Sequence, residues 1–347
     1  MKILILYTRL TDYWMACMQH SRDVYDNKFL VFRYTPNPEA PFKIESENGI
    51  EIEDHENYDQ SELKKAIERF APDLIYVAGW TNKTYLAIAR QYKNHGVSVV
   101  TGMDNHWKAT PKQYLASLLS HLFIHPYFTD IWIPGSAQYA FAQKLGFKET
   151  NIHTGLYCAN TNLFRGKIKK SKKDEVVFIG RLVDHKGVPQ FIHLLEKLIR
   201  EEALNIHIHF IGNGPLADKI PQHRNIKHTS FVKPQELPNV LQKTGFLILP
   251  SSYEAWGVVV QEALLTGTPV ISTYQCGAAV DLVEHKKNGF LFDSRNGLQL
   301  EKILKNIKEL SNESYEAMSK NALAAAKRID HDAWSKTLEK IGKRNNA

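Results

Sequence analysis

The feature that most constrains the fold of this chain is a repeated alternation of short apolar runs with longer helical patterns. The apolar runs fall at 3–7, 29–34, 74–78, 98–101 and 131–134, and again at 176–179, 206–211, 246–249, 270–273 and 290–292. Strands that are buried on both faces have continuous apolar sequences, and their alternation with helices is typical of parallel sheets. The sequence therefore predicts an α/β fold with two doubly wound, Rossmann-like domains.

A lysine-rich stretch without apolar periodicity, RGKIKKSKKDE, separates the two halves of this pattern. We expect a first domain over 1–165, a solvated linker over 166–174 and a second domain over 175–331. Two doubly wound domains joined in this way are expected to face each other across a cleft. Ligands of such folds bind beyond the carboxyl ends of the strands.

The net positive charge of the chain comes entirely from its second half. The 347 residues contain 44 Lys and Arg against 37 Asp and Glu, which gives a formal net charge of +7. Residues 1–165 contain 17 basic and 17 acidic side chains, so the excess lies beyond them, and part of it consists of the linker lysines. Basic residues that are diffuse and belong to no recognition motif argue against a nucleic-acid partner. The acidic segment 45–62 is expected to be an exposed loop or an edge hairpin.

Cysteine usage and hydropathy indicate the compartment. Cys17, Cys158 and Cys276 are far apart and form no Cys-x-x-Cys pair, so neither a disulfide framework nor a zinc site is indicated. No signal peptide or spanning segment is indicated either. We expect a cytoplasmic protein, and peripheral contact with the inner face of a membrane stays open as an alternative.

A first candidate anion site follows the strand that begins the second half. Gly180 and Arg181 end this run, and Lys186 precedes a helical pattern. A glycine turn between a strand and a helix presents backbone N–H groups to an anion, and the two cations could reach the same phosphates. The alternative is a surface loop with two solvated cations.

Two further turns of the second half carry polar groups. The first, Gly212-Asn213-Gly214, is a weak signal because many turns contain glycine. The second places Glu254 in a loop and Glu262 on the following helix, with seven residues between them. Paired ribose hydroxyls are natural partners of a carboxylate. The alternative for Glu262 is an ordinary exposed helix acid.

The motifs FIGRLVDHKG, IGNGPL, LPSSYEAWGVVVQEALLTGTPVI and EHKKNGFLF resemble the C-terminal domain of glycosyltransferase family 4, whose members are retaining enzymes of the GT-B fold. The resemblance implies that Arg181 and Lys186 hold the donor diphosphate, that Glu254 contacts the donor sugar and that Glu262 contacts the ribose. The full set of donor-binding residues that it implies is Gly180, Arg181, Lys186, Gly212, Asn213, Glu254, Ala255, Trp256, Gly257, Val258 and Glu262. It also implies that a C-terminal helix over 332–347 returns to the first domain.

The first half offers candidates for the sugar and acceptor side. Family members often have a glycine-rich loop after the first strand, whereas this chain has Arg9 there, which could take a ligand role. In retaining GT-B enzymes a histidine after the fourth strand lies near the reacting sugar. The resemblance therefore implies a catalytic role for His106, together with Glu254, Arg181 and Lys186. Asp104 and Asn105 are alternatives, and a helix cap with a packed aromatic loop is the structural alternative.

The resemblance implies a retaining transfer of a sugar from a nucleoside diphosphate, UDP or GDP, to a glycan or lipid-linked glycan. We expect no cofactor and no metal, because the only Asp-x-Asp, at 330–332, precedes a helical pattern and reads as a helix cap. The alternatives are a non-catalytic nucleotide-sugar-binding subunit and a nucleotide-sugar epimerase. A dehydrogenase is excluded because no Gly-x-Gly-x-x-Gly follows the first strand.

Overall fold

The computed structural model describes residues 1–34 and 44–343. It divides the chain into two units: Met1–Asn160 with Ile329–Ala347, and Thr161–Arg328. The boundaries predicted from the sequence lay at 165 and 331, within a few residues of these.

Each unit contains one sheet in which every strand pair is parallel. The first sheet has the order β3-β2-β1-β4-β5-β6-β7 and the second has the order β10-β9-β8-β11-β12-β13. The strands are β1 (Lys2–Leu6), β2 (Lys28–Arg33), β3 (Ile50–Asp54), β4 (Leu74–Ala78), β5 (Ser98–Gly102), β6 (Asp130–Trp132), β7 (Ile152–His153), β8 (Glu175–Ile179), β9 (His207–Ile211), β10 (Ile226–Thr229), β11 (Phe246–Leu249), β12 (Val270–Thr273) and β13 (Gly289–Phe292). The prediction of two Rossmann-like α/β units is confirmed.

Helices connect most of these strands, as parallel pairing requires. They are α1 (Asp12–Tyr25), α2 (Gln60–Phe70), α3 (Lys83–Asn94), α4 (Pro111–Leu118), α5 (Ser120–Phe123), α6 (Ser136–Lys144), α7 (Val188–Arg200), α8 (Leu237–Lys243), α9 (Val258–Leu265), α10 (Gly277–Leu282), α11 (Gly297–Glu309), α12 (Asn312–Ala326) and α13 (His331–Lys343). Among the described residues, no helix is both long enough and apolar enough to span a bilayer.

Successive residues of the central strands enter different cores on the two faces of the first sheet. Leu4 and Leu6 belong to one buried cluster, whereas Ile3 and Ile5 belong to the other. This alternation explains why the runs are apolar at every position.

An aromatic cluster holds α13 in the first unit. The Trp334 ring lies 5.2 Å from the Trp14 ring and 5.3 Å from the Trp132 ring, measured between centroids. The Asp330 carboxylate accepts a 2.7 Å hydrogen bond from the Ala333 N–H, which is the helix-cap role that the sequence indicated. Of the predicted helix 332–347, residues 344–347 lie outside the described part of the chain.

The acidic segment contains an edge strand where the sequence predicted a loop or an edge hairpin. Strand β3 pairs parallel to β2, so it is not the second arm of a hairpin. Its acids line the sheet edge, and Asp54 accepts a 2.9 Å hydrogen bond from the Arg33 guanidinium. Charged side chains on an edge strand also discourage pairing with a second chain.

The prediction of a solvated linker over 166–174 is wrong at Lys169. Its ammonium group donates hydrogen bonds of 2.6, 2.7 and 2.7 Å to the Leu241 carbonyl, the Thr244 carbonyl and the Thr268 hydroxyl. Burial and the nearby Lys173 lower the pKa of Lys169 to about 7. This part of the chain is therefore anchored to the second unit. A lysine-rich sequence does not indicate which of its lysines are solvated and which donate hydrogen bonds to buried carbonyl groups.

Candidate functional site

The predicted donor residues lie in loops at the carboxyl edge of the second sheet. The chain order runs from β8 to β9 on one side of β8, and β11 pairs with the other side. The boundary between β8 and β11 is therefore a topological switch point, where doubly wound sheets bind their ligands. The loop after β8 contains Arg181 and Lys186, and the loop after β11 contains Glu254.

Backbone contacts join these two loops. The His185 carbonyl accepts hydrogen bonds from the Ser252 and Tyr253 N–H groups, at 3.0 and 3.3 Å. Gly187 makes this approach feasible, because it adopts a φ of +72° and an added Cβ would lie 1.9 Å from the Pro250 carbonyl oxygen. The HKG sequence before α7 is thus a requirement of loop packing as well as an anion-binding signal.

Lys186 and Glu254 form an ion pair at this junction. The Lys186 ammonium donates a hydrogen bond to the Glu254 carboxylate, and each side chain is only 15% exposed. Sequence reasoning assigned the two residues to separate parts of a ligand, whereas the structure brings them into direct contact. A cation in this position is held in one orientation before any ligand arrives.

Arg181 is the exposed cation of the same loop. Its side chain is open to solvent, and no ion pair in the described part of the chain includes it. A guanidinium group presents a planar fork of N–H donors that suits phosphate oxygens. The loop therefore combines one oriented ammonium group with one guanidinium group that is available to an anion.

Two glycines of the predicted donor site have backbone N–H groups that already donate hydrogen bonds within the protein. The Gly180 N–H donates to the Ile211 carbonyl and the Gly212 N–H donates to the Thr229 carbonyl, both at 3.0 Å, so these groups extend the strand ladder. At the start of α10 the Gly277 N–H is also occupied, because it donates to the Glu254 carbonyl at 3.1 Å. The N–H groups of Gly180 and Gly212 are therefore not available to a donor, and the place of these two glycines in the donor site stays a prediction.

The amino end of α9 is free of side-chain caps. Gly257 occupies its N-cap position and has no side chain to accept from the first turn of the helix. The first-turn amides of Val258 and its successor are therefore suited to an anion. Ala255 and Glu262 are half-buried beside this turn, and the Asn213 side chain is exposed in the loop after β9.

The Trp256 side chain packs beneath the protein surface, so its indole is not exposed to a ligand. Its side chain is 2% exposed, and its carbonyl accepts hydrogen bonds from the Ala278 N–H at 2.8 Å and the Cys276 thiol at 3.1 Å. Burial and the adjacent Glu254 carboxylate raise the pKa of Cys276 to about 12, so its sulfur stays protonated and donates. A donor contact of the Trp256 indole is therefore excluded, and the predicted contact of Trp256 with the donor is left to its backbone.

A separate cavity of 480 Å³ lies at the carboxyl edge of the first sheet. Tyr7 follows β1, and Asp104 and Asn105 follow β5, so the cavity occupies the corresponding switch region of the first unit. It combines apolar and polar walls, as ligand sites commonly do. Arg9 is exposed and His106 half-buried, and neither is among the lining residues.

Tyr157 is the functional candidate that sequence reasoning missed in this cavity. Its hydroxyl donates a 3.2 Å hydrogen bond to the Asp104 carboxylate. Burial, and next the Asp104 charge, raise the pKa of Tyr157 far above its usual value, so the phenol remains a hydrogen-bond donor. Tyr157 follows β7, a two-residue strand that has no periodic pattern. Tyr7 could have been found, because it is the last residue of the first apolar run and directly follows β1.

Comparison with known proteins supports a relation to glycosyltransferases in the second unit. Residues 160–324 match the model of the family described as Glycosyl transferases group 1. An uncharacterized glycosyltransferase of Methanocaldococcus jannaschii is 27% identical over 35% of this chain and 32% of its own length. The D-inositol 3-phosphate glycosyltransferase of Corynebacterium efficiens is 30% identical over 35% of this chain and 31% of its own length. The chain thus spans about a third of these two curated relatives.

Solved structures share the fold over nearly the whole chain. The HepE protein of Anabaena, solved in complex with UDP, has a TM-score of 0.75 and 17% identity, and the match covers 98% of both chains. The same protein has been solved in complex with UDP-glucose. This likeness establishes the fold of the chain as that of these proteins.

Proposed function

We propose that the chain is a glycosyltransferase that moves a sugar from a nucleoside diphosphate sugar to an acceptor. The observation that carries this proposal is the Lys186–Glu254 ion pair at the switch point of the second sheet, with Arg181 exposed on the same loop. The group 1 match over residues 160–324 and the nucleotide-bound structures of similar fold support it. Within this proposal the protein belongs to glycosyltransferase family 4 and retains the anomeric configuration of the donor.

The cations have one chemical task in this reaction. As the bond between sugar and phosphate breaks, negative charge grows on the departing diphosphate. Arg181, Lys186 and the uncapped amino end of α9 are arranged to stabilise that charge without a metal ion. The donor is thereby bound most tightly as its bond breaks, which is the condition for faster chemistry.

The two glutamates are assigned to the sugar-bearing end and the nucleoside end of the donor. Glu254, oriented by Lys186, binds hydroxyl groups of the transferred sugar. Glu262, about one helical turn after the first residue of α9, binds the ribose hydroxyls. Asn213 and the backbone of 255–258 complete the donor site. No covalent enzyme nucleophile is assigned: the acceptor hydroxyl attacks the sugar on the face that the diphosphate leaves, and its proton passes to the departing phosphate oxygen.

The acceptor is assigned to the first unit. The 480 Å³ cavity there carries Asp104, Asn105 and Tyr157, which offer acceptors and a donor for sugar hydroxyls. A glycan or a lipid-linked glycan is the proposed acceptor, and His106 and Arg9 flank the segments that supply this cavity. The protein is proposed to be cytoplasmic.

A panel of UDP- and GDP-sugars tests this function through binding and turnover. We expect one donor to raise the melting temperature and to release nucleoside diphosphate, with equal rates in the presence and absence of EDTA. Glu254→Ala should abolish release while the nucleoside diphosphate still binds. If a donor binds but is never consumed with any acceptor, the non-catalytic subunit is the better account. If the donor is converted to another nucleoside diphosphate sugar, the epimerase is the better account.

A further inference from the structure

The outer face of α4 and α5 is unusually apolar. Of the large apolar side chains that are exposed in the described residues, five fall within ten consecutive positions. They are Tyr114, Leu115, Leu118, Leu122 and Phe123, which are 55% to 71% exposed. We call these five residues the α4–α5 stripe. An exposed cluster of this kind marks an interaction surface more often than a scatter of single residues does.

The stripe is continuous because the helical backbone continues through the junction of the two helices. The Leu119 N–H donates to the Leu115 carbonyl at 3.0 Å, and the Phe123 N–H donates to the Leu119 carbonyl at 3.2 Å. Tyr114, Leu118 and Leu122 are four residues apart and therefore lie on one face.

The outer face of this helical pair is more apolar than that of an ordinary surface helix. The half-buried or buried positions are mixed, with Gln113, Ser117 and Ser120 beside the apolar Ala116, Leu119 and Ile124. The exposed positions from 112 to 123 are the five stripe residues, Lys112 and His121. An ordinary surface helix turns its apolar stripe toward the core and its polar residues toward water. Core packing therefore does not use the five side chains of the stripe, and they are exposed to a partner.

The charged side chains of the segment that carries the stripe are all basic. Residues 105–129 contain no Asp or Glu, and Lys108 and Lys112 precede the stripe. A third cation is brought in by packing, because the Lys144 ammonium lies 4.8 Å from the Trp107 ring centroid and that ring lies 4.9 Å from the Tyr114 ring. Apolar side chains bordered by lysines match a bilayer surface that carries anionic lipids.

A second copy of the chain is the less favourable occupant. A symmetric interface would place the stripe of one copy on the stripe of the other, and it would bring the same lysines together. Like charges in contact oppose such an association, whereas an anionic surface neutralises them.

We propose that the α4–α5 stripe inserts into the surface of an anionic membrane and thereby positions the first unit on it. The inner side of α4 supplies Lys112, Gln113 and Ala116 to the 480 Å³ cavity. A lipid-linked acceptor held in the bilayer would therefore have its head group beside that cavity. This assignment of the acceptor class rests on the proposed transferase function, whereas the membrane contact itself does not.

Vesicle sedimentation of the full chain tests the contact without any donor or turnover. We expect binding to vesicles of phosphatidylcholine with phosphatidylglycerol, little binding to phosphatidylcholine alone, and weaker binding at high salt. The double variant Leu118→Ser/Leu122→Ser should lower the partition coefficient about tenfold or more. Its melting temperature should not fall, because both side chains are exposed.

The matched control is Val24→Ser/Leu298→Ser, which removes two apolar side chains that are 57% and 74% exposed elsewhere. It should bind vesicles as the unmodified chain does. The proposal is overturned if anionic vesicles are not bound, if the stripe variant binds them equally well, or if the stripe instead mediates a dimer that sedimentation detects and the variant abolishes. Nucleoside diphosphate binding, measured in parallel, reports separately on the proposed function.

Discussion

Lys186 and Glu254, 68 positions apart in the sequence, are joined by a hydrogen-bonded ion pair between two adjacent loops of the second unit. Each charge of the pair affects the interactions that the other can make with a ligand. The ammonium group is partly neutralised before a diphosphate arrives, and the carboxylate is held in a fixed orientation. The pair thus couples the site of the phosphates to the site of the sugar.

Glu254→Gln and Lys186→Met should therefore have opposite effects on nucleoside diphosphate affinity. Removing the carboxylate charge leaves Lys186 free to pair with phosphate, so UDP or GDP should bind equally well or more tightly while turnover falls more than tenfold. Removing the ammonium charge forfeits a charge-assisted hydrogen bond of about 1.5–3 kcal/mol and should weaken binding about tenfold or more. Titration calorimetry measures both affinities. Equal weakening by both variants would show that the pair acts only as a structural unit.

Arg181→Ala should weaken diphosphate binding about tenfold or more without changing the melting temperature. The reason is that Arg181 is exposed and forms no ion pair with any described side chain, so its loss costs the fold little. Arg181→Lys should recover only part of the affinity, since the planar fork is lost. Arg224, also exposed but preceding the amino end of β10, provides the control, and Arg224→Ala should bind normally. If the two alanine variants bind alike, Arg181 has no place in the site.

Gly187→Ala should destabilise the protein and abolish activity together. The left-handed conformation costs an L-residue about 1–2 kcal/mol, and the overlap of the new Cβ with the Pro250 carbonyl adds to this cost. Gly297→Ala is the matched control, because no atom lies within 4 Å of its added Cβ. Urea unfolding should show a clear loss for the first variant and no loss for the second. Normal stability of Gly187→Ala would mean that the two loops do not meet as described.

Lys169 should make the free energy of unfolding depend on pH. Its pKa is lowered to about 7 in the folded protein, against about 10.4 in an unfolded chain. Between these values the unfolded state binds the additional proton, so stability rises with pH from about 7 to about 10 and is flat below 7. The difference in unfolding free energy between the unmodified chain and Lys169→Met isolates this contribution. A difference that does not vary with pH would contradict it.

The three thiols should be inert in the folded protein. Cys17, Cys158 and Cys276 are each at most 1% exposed, and burial raises the pKa of Cys17 and of Cys276. A thiol reagent at neutral pH should therefore react only after denaturant is added, and then with all three. Rapid labelling of the native chain would show that one of these positions is accessible.

The fold was accessible from the sequence wherever strands are buried on both faces. Leu74–Ala78, Phe246–Leu249 and Val270–Thr273 were located to the residue, because a central parallel strand is apolar at every position. Strands β3, β7 and β10 were missed, and all three are edge strands, whereas the edge strand β13 was found because it is buried at every position. The three missed strands are short or contain charged residues, so they have no continuous apolar sequence that would indicate a strand.

The sequence indicated which residues belong to the candidate site, but it did not indicate which of them are in contact. The sequence indicated Arg181, Lys186 and Glu254, since cations and a carboxylate near strand ends imply phosphate and hydroxyl ligands. It did not reveal that Lys186 pairs with Glu254 or that the Gly180 and Gly212 amides are already used. Those facts depend on which strands are neighbours, and local spacing carries no information about that.

Proton NMR of a single reaction tests the central claim most directly, because it follows the donor, the product and the anomeric configuration together. We expect that an α-linked nucleoside diphosphate sugar is consumed, that one nucleoside diphosphate is released for each sugar transferred, and that the new linkage is α. An inverted linkage would contradict retention. No consumption of any UDP- or GDP-sugar, with glycan or lipid-linked acceptors supplied, would contradict the transferase function itself.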